Sequence, residues 1–378
     1  MKKILIFYGA YGGGHLSAAK SIKEYIDENF ENTETLMVDC IEYINKYLNK
    51  LSTTAYKEMA KKAPWIWKRV YSNSSSGALS KITTSANHIM SRKLDNILQD
   101  FKPDLVISTH PFSNQMCTTL KKKGKINCEI ATVLTDYMPH PQWTKDPEYI
   151  DYFFVSNEDL KKTIVDDYGV SKDKVFVTGI PVSKRFKGKY DKNAICEEFG
   201  LAPNKKIVLF FAGGEFGLGR KRTHMIFRAL IRLFKDTQVI AISGKNKRMY
   251  HKFTNLVSLY KSEDRIKVYE FTSKVPEIMS ISDFVITKPG GLTTTESLVS
   301  GLPIVIINPI PGQEEENAEY LEKNGLAVWI KKKDNGARIL KSLYRHPEKL
   351  ENIKSKIPKY AKPNSTKDIC DTLLKKKK

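Results

Sequence analysis

Residues 282–309 read S-D-F-V-I-T-K-P-G-G-L-T-T-T-E-S-L-V-S-G-L-P-I-V-I-I-N-P, and their order decides the class of fold. A short apolar strand, Asp283–Thr287, runs into the turn Lys288-Pro289-Gly290-Gly291. The turn opens a helix, and a second apolar strand follows at Pro303–Ile307. Near-continuous apolar strands alternating with helices suit a parallel sheet buried on both faces. The unit recurs along the chain. Expected strands before it are Lys3–Tyr8, Thr35–Val38, Leu105–Thr109, Glu129–Leu134, Tyr152–Val155 and Lys174–Val177. After a break at Gly179-Ile180-Pro181 the rhythm restarts with Ile207–Phe211, Gln238–Ile242 and Ile266–Tyr269, and it closes with Leu326–Val328. Two doubly wound α/β domains are therefore expected, over 1–182 and 183–355. Residues 356–378 form a C-terminal segment expected to return to the first domain as a helix.

The bulk composition is consistent with this. A chain of 378 residues is long enough for two cores, and 41% hydrophobic with 28% charged residues is an ordinary globular balance. No apolar run approaches the roughly 18–20 residues of a membrane span. Met1-Lys2-Lys3 followed by apolar residues imitates a signal peptide, but the run is one strand long, leads into glycines and has no small-residue cleavage site. A cytoplasmic protein is expected. Cys40, Cys117, Cys128, Cys196 and Cys370 are scattered and never in C-x-x-C spacing, which reads as buried thiols and no metal site. The formal charge of +21 calls for an anionic partner: nucleic acid, an acidic membrane surface or a phosphate-bearing substrate.

Three glycine-rich turns stand at the carboxyl ends of expected strands, where open α/β sheets bind ligands. They are G-A-Y-G-G-G-H at 9–15, A-G-G-E-F-G-L-G at 212–219, and K-P-G-G-L-T-T-T-E at 288–296. Bare N–H groups at a helix start favour anions. Gly290 and Gly291 would let a diphosphate approach the backbone, and Glu296 would chelate two ribose hydroxyls. None of the turns has the spacing of a P-loop or a dinucleotide fingerprint, so ATP hydrolysis is disfavoured.

The combination, most of all 286–318 ending in P-G-Q-E-E-E-N-A, resembles the nucleotide-sugar signature of GT-B glycosyltransferases. It most resembles the family of the plant monogalactosyldiacylglycerol synthases and the bacterial processive diacylglycerol glucosyltransferases. The lipid-II-forming N-acetylglucosaminyltransferase is a distant relative. The resemblance implies two Rossmann-like domains facing across a cleft, the first for acceptor and membrane, the second for a UDP-sugar. It places Gly213, Gly214 and the turn to Gly217 beside the diphosphate, Ser243 and Gly244 on the same rim, and Phe271 and Thr272 at the uracil edge. Gly14, Gly290, Gly291, Leu292 and Thr293 are further donor-binding candidates, with Glu296 on the ribose. Gln313, Glu314 and Asn317 would surround the sugar hydroxyls, although 313–319 also reads as a solvated acidic helix start.

In the family, the histidine closing the first turn points at the acceptor. His15, near its ordinary titration range, would accept the proton of the attacking hydroxyl, or position that hydroxyl. Asp136 is the other candidate base, the partner that orients His15, or simply a cap. His110, His140 and Trp143 are candidates for the acceptor mouth. One departure stands out: the plant enzymes carry an acidic residue just before this turn, where Ala10 stands here. In residues 57–71, Trp65 and Trp67 lie among Lys57, Lys61, Lys62, Lys68 and Arg69. Aromatics beside cations suit an anionic bilayer interface, single-stranded nucleic acid, or a helix packed into the first domain.

The expected function is inverting transfer of a hexose from a UDP-sugar to a membrane lipid hydroxyl, with diacylglycerol the leading acceptor. The enzyme would sit peripherally on the inner face of the cell membrane. No Asp-x-Asp motif stands at a strand end, so no cofactor or obligatory metal is expected; no nucleic-acid partner is expected either. Alternatives are a polyprenyl-linked or soluble acceptor, or an idle UDP-sugar sensor, which would need Glu296 but not His15.

Overall fold

Strand β1 (Lys2–Tyr8) shows how the apolar runs are used. In the computed structural model, Leu5 and Phe7 point into one core with Val106 and Phe153, while Ile4 and Ile6 point into another with Ile107 and Phe154. A strand covered on both sides needs apolar residues at every position, which is why the sequence shows runs and not alternation. The structure describes residues 1–9, 13–48, 91, 93–212 and 220–375.

The chain divides into two units. Unit 1 contains Met1–Ser183, Pro311–Gln313 and Lys362–Lys378; unit 2 contains Lys184–Ile310 and Glu314–Ala361. In unit 1, β1 is joined by β2 (Thr33–Asp39), β3 (Leu105–Ser108), β4 (Glu129–Val133), β5 (Tyr152–Val155) and β6 (Val175–Val177). They form one parallel sheet in the order β2-β1-β3-β4-β5-β6, with Ile4 in register with both Thr35 and Leu105. β2 is at the edge and is only half-buried along most of its length.

In unit 2, β7 (Ile207–Phe211), β8 (Gln238–Ile242), β9 (Ile266–Tyr269), β10 (Phe284–Thr287), β11 (Ile304–Ile307) and β12 (Ala327–Ile330) form the second parallel sheet. Its order is β9-β8-β7-β10-β11-β12, the doubly wound order of dinucleotide-binding folds. Each sheet reverses direction once, between β1 and β3 in unit 1 and between β7 and β10 in unit 2. These switch points put ligand-binding loops at the carboxyl ends of the flanking strands.

The C-terminal helix Ser365–Leu374 packs Ile369, Cys370 and Leu373 against Ile22 and Ile26 of helix Gly14–Asn29, in the core of unit 1. Ser365 and Thr366 donate to the carbonyls of Ile180 and Val182, both at 2.8 Å. The division expected after residue 355 falls instead after Ala361, because helix Glu348–Tyr360 continues unbroken through that point. All five cysteines are free and buried.

Gly179 makes the crossing at Lys362 possible. Its φ is +88°, and a Cβ there would sit 2.5 Å from the Lys362 Cβ. Gly179→Ala is expected to cost the 1–2 kcal/mol or so of a left-handed alanine and a backbone displacement besides. Gly124→Ala, at φ +67° with nothing within 4 Å, carries the first cost alone. Thermal melts of the two variants should therefore separate, with Gly179→Ala clearly the less stable.

Candidate functional site

In unit 1 the site is built where β1, β3 and β4 end. Gly13, at φ +79°, turns the chain into the helix that starts at Gly14, which puts His15 in the first helical turn. Gly9 leaves room for a neighbour: a Cβ there would lie 2.8 Å from the His110 ring and 2.9 Å from Ile41. The His110 ring fills that space and meets the His15 ring edge to face, with centroids 4.6 Å apart.

His15 Nδ1 lies 2.6 Å from the Thr109 carbonyl and 3.1 Å from the Thr135 hydroxyl. A carbonyl only accepts, so Nδ1 carries the proton and Nε2 is the basic nitrogen. Thr109 in turn donates its hydroxyl to the His15 carbonyl at 2.9 Å. Burial lowers the pKa of His15 to about 4, below the ordinary range expected from the sequence, although the Thr109 bond opposes the shift. The imidazole is neutral at pH 7.

His110 and His140 share a different device. Each precedes a proline and caps the following helical turn through Nδ1, accepting from Phe112 N at 3.1 Å and Gln142 N at 3.2 Å respectively. Burial lowers His140 to about 4. It holds His110 well below the histidine range, helped by neighbouring His15.

Trp143, expected at an acceptor mouth, is 1% exposed and packs with Leu134 and Ile150, its ring centroid 6.5 Å from that of His15. The short turn Pro141–Trp143 folds back on helix Pro111–Lys122, where Asn114 donates to the Trp143 carbonyl at 3.1 Å and Gln115 to the Gln142 carbonyl at 2.8 Å. Asp136 is buried in the loop after β4, which Ser156 and Asn157 pin through the carbonyls of Asp136 and Tyr137. Its carboxylate accepts from the Gln313 amide, which groups with unit 1. The groups that hold His15 Nδ1 are thus Thr109 and Thr135, neither singled out from the sequence.

In unit 2 the site centres on the turn between β10 and helix Gly291–Val299. Gly290 is extended and caps the helix with no side chain, and the first turn carries no acidic residue. Leu292 is buried, so it offers a ligand only its backbone, and Thr293 is half-buried beside it. Glu296 lies further along the helix, and burial raises its pKa to about 8. Glu314 accepts from Ile310 N at 2.6 Å, and its Oε1 would be 3.9 Å from a Cβ on Gly290. Desolvation raises the Glu314 pKa, and Lys288 opposes that rise.

Asn317, expected among the sugar hydroxyls, is fully buried and donates to the Pro289 carbonyl at 3.1 Å, bracing the glycine turn. Ser243 is buried at the end of β8 with its hydroxyl on the Tyr269 carbonyl, followed by Gly244 at φ +60°. Phe271 is 79% exposed, an open ring beside Thr272, whose hydroxyl accepts from Lys274 N at 3.1 Å. Asn308 was also missed: it holds a left-handed backbone at φ 46° and donates to Thr223 at 2.8 Å. Gly213, Gly214, Gly217, Trp65, Trp67, Lys68 and Arg69 lie outside the described residues.

The model of monogalactosyldiacylglycerol (MGDG) synthase matches residues 15–182, and the glycosyltransferase family 28 C-terminal domain matches 220–373. A processive diacylglycerol beta-glucosyltransferase of Bacillus cereus is 30% identical over 383 residues, covering 98% of this chain and 93% of the relative. The chain belongs to this family of glycosyltransferases. A Bacillus anthracis protein of the same description is also 30% identical, over 384 residues, with the same coverage. Among solved structures, Acinetobacter baumannii MurG aligns at TM-score 0.65 and 14% identity, covering 99% of this chain and 100% of MurG. The UDP-GlcNAc 2-epimerase of Neisseria meningitidis, bound to UDP-GlcNAc, aligns at TM-score 0.65 and 17% identity, covering 99% and 100%. These likenesses establish the GT-B fold of this family member.

The shifted groups predict two opposite pH slopes. The histidines have folded pKa values below the unfolded value near 6.5, so the unfolded chain binds more protons and stability falls as pH drops from 6.5 toward 4. Each contributes at most about 1.4 kcal/mol per pH unit. His140→Asn keeps the cap acceptor and should flatten that slope in melts at pH 7 and 5. Glu296 is raised, so its share is lost as pH climbs from 4.5 to 8, and Glu296→Gln should remove that loss.

Proposed function

We propose that this glycosyltransferase moves glucose from UDP-glucose to the hydroxyl of diacylglycerol, with inversion at the anomeric carbon. The observation that carries the chemistry is the fixed tautomer of His15. A proton on Nδ1 held by the Thr109 carbonyl leaves Nε2 as the base. The acceptor oxygen attacks C1, the bond from C1 to the UDP oxygen breaks, and the acceptor proton passes to Nε2. The choice of acceptor and sugar rests on relatives of that description matching 98% of the chain.

The donor half supplies the counterpart. The uncapped start of helix Gly291–Val299 suits the negative charge of a departing diphosphate, with no obligatory metal in the account. Glu296 takes the ribose hydroxyls, Phe271 offers a ring to the base, and Gln313 with Glu314 addresses the sugar. No helix among the described residues is long and apolar enough to cross a membrane. We place the enzyme peripherally on the anionic inner face of the cell membrane, where Trp65, Trp67, Lys68 and Arg69 meet the lipid.

His15→Ala should leave UDP affinity intact and cut turnover by roughly 10²–10⁴. Because His15 titrates near 4, kcat/KM of the wild type should hold steady from pH 7 to pH 6. Glu296→Ala should weaken UDP binding in calorimetry near pH 7 by about 0.5–1.5 kcal/mol, the contribution of an ordinary hydrogen bond, because burial keeps most of the carboxyl protonated there. Turnover of the His15 variant within a few-fold of wild type returns that residue to a capping role. Unchanged UDP affinity removes Glu296 from the site.

A further inference from the structure

Unit 2 carries a surface that the reaction does not use. Residues 220–235 include Arg220, Lys221, Arg222, Arg228, Arg232 and Lys235 without one Asp or Glu. Residues 245–262 include Lys245, Lys247, Arg248, Lys252 and Lys261, again with no acidic residue. Such segregation is not the average habit of a chain with 63 basic and 42 acidic residues.

The fold brings the two segments side by side. Helix Arg220–Leu233 and helix Lys247–Leu259 bury Phe227, Leu230, Met249 and Phe253 in one core, where the rings of Phe227 and Phe253 stack at 4.0 Å. With the inward sides locked, the outward sides align. On the first helix, Lys221, Met225, Arg228 and Arg232 are exposed at the spacing of a single stripe; on the second, Arg248, Lys252, Asn255 and Leu259 repeat it. His224 lies where the stripes meet, with burial and then Lys252 and Arg228 lowering its pKa, so these cations share one patch. Arg222 is no part of it, since its guanidinium turns to the carbonyls of Lys331 and Lys332. Asp236, Glu263 and Asp264 begin only beyond the segments.

The face also has an apolar component. Met225 is 67% exposed and Leu259 71% exposed, among the most exposed large apolar side chains described. A basic helical face bearing protruding apolar side chains matches an anionic bilayer, where cations meet headgroups and the apolar tips enter the acyl boundary. We infer that the outward face of helices Arg220–Leu233 and Lys247–Leu259 docks on an anionic lipid surface, giving the nucleotide-binding half its own membrane contact. The choice of lipid over another polyanion rests on the lipid acceptor proposed above. Met225 and Leu259 favour it, since phosphate recognition alone has no use for them.

The test is co-sedimentation of the full chain with vesicles of phosphatidylglycerol and phosphatidylcholine, without donor. Each basic residue near such a surface is worth about fivefold in affinity. Arg228→Gln combined with Arg232→Gln, Arg248→Gln and Lys252→Gln should therefore weaken binding at least tenfold. Met225→Ser with Leu259→Ser should weaken it less, by an amount that persists in high salt. Lys162, Lys189, Lys192 and Lys205, all exposed, changed together to Gln remove the same charge elsewhere and should keep binding within about twofold.

An unchanged face variant overturns the inference. Equal losses in the two quadruple variants overturn it too, because net charge alone then accounts for binding. If the face variant loses a single-stranded oligonucleotide yet keeps vesicles, the surface takes nucleic acid and the lipid assignment is wrong. The chemistry is scored separately: turnover on detergent-dispersed diacylglycerol should be unchanged in the face variant. Absence of turnover in the wild type would count against the transferase reading while leaving the vesicle result standing.

Discussion

The 2.6 Å bond from His15 Nδ1 to the Thr109 carbonyl is the contact on which the first unit's site depends. It ties the first turn of helix Gly14–Asn29 to the segment that follows β3. It also decides which ring nitrogen is left for chemistry. The surroundings conform to it: Gly9 lacks a side chain so that His110 can lie against His15, and Thr109 returns a hydrogen bond to the His15 carbonyl. Burial then keeps the ring neutral at any ordinary pH. The result is a neutral imidazole whose Nδ1 is held, among the described residues, by a backbone carbonyl and a threonine hydroxyl.

The second unit follows a related principle with other parts. Its glycine turn after β10 leaves a helix start without a side-chain cap, and the residues around that start act as struts. Asn317 holds the Pro289 carbonyl, Glu314 holds Ile310 N, and Asn308 accepts a left-handed backbone while it reaches Thr223. Of these, the Asn317 bond bears directly on the glycine turn, and the other two fix the segment that follows β11. Preorganised backbone donors need no rearrangement when a charged leaving group forms.

Much of this was legible in the sequence, and for a clear reason. Strands buried on both faces leave runs such as Ile304–Ile307 that need no knowledge of their neighbours, so every expected strand has its counterpart in the two sheets. Glycine turns after those strands marked the loops for the same local reason. What failed to show depends on distant partners. The burial of Trp143 is one case, since nothing near it in sequence reveals that Asn114 and Gln115 hold its segment against helix Pro111–Lys122. The hold of Asn317 on the Pro289 carbonyl is another, because that carbonyl belongs to a different element. The Thr109–His15 pair, 94 positions apart, is invisible until the sheet is assembled. The His-Pro pairs at 110–111 and 140–141 were the one missed local signal, since a histidine before proline at a helix start is a plausible cap.

The product itself is the most direct readout of the chemistry. Purified enzyme would be incubated with diacylglycerol in phosphatidylglycerol-containing vesicles and a panel of UDP-sugars, and the extracted lipids analysed by mass spectrometry and by the anomeric coupling in proton NMR. A β-linked glucosyl-diacylglycerol formed from UDP-glucose is expected, with His15→Ala producing little of it. A UDP-sugar consumed or epimerised with no glycolipid formed, or a product found only with a soluble or polyprenyl-linked acceptor, would contradict the proposed transfer.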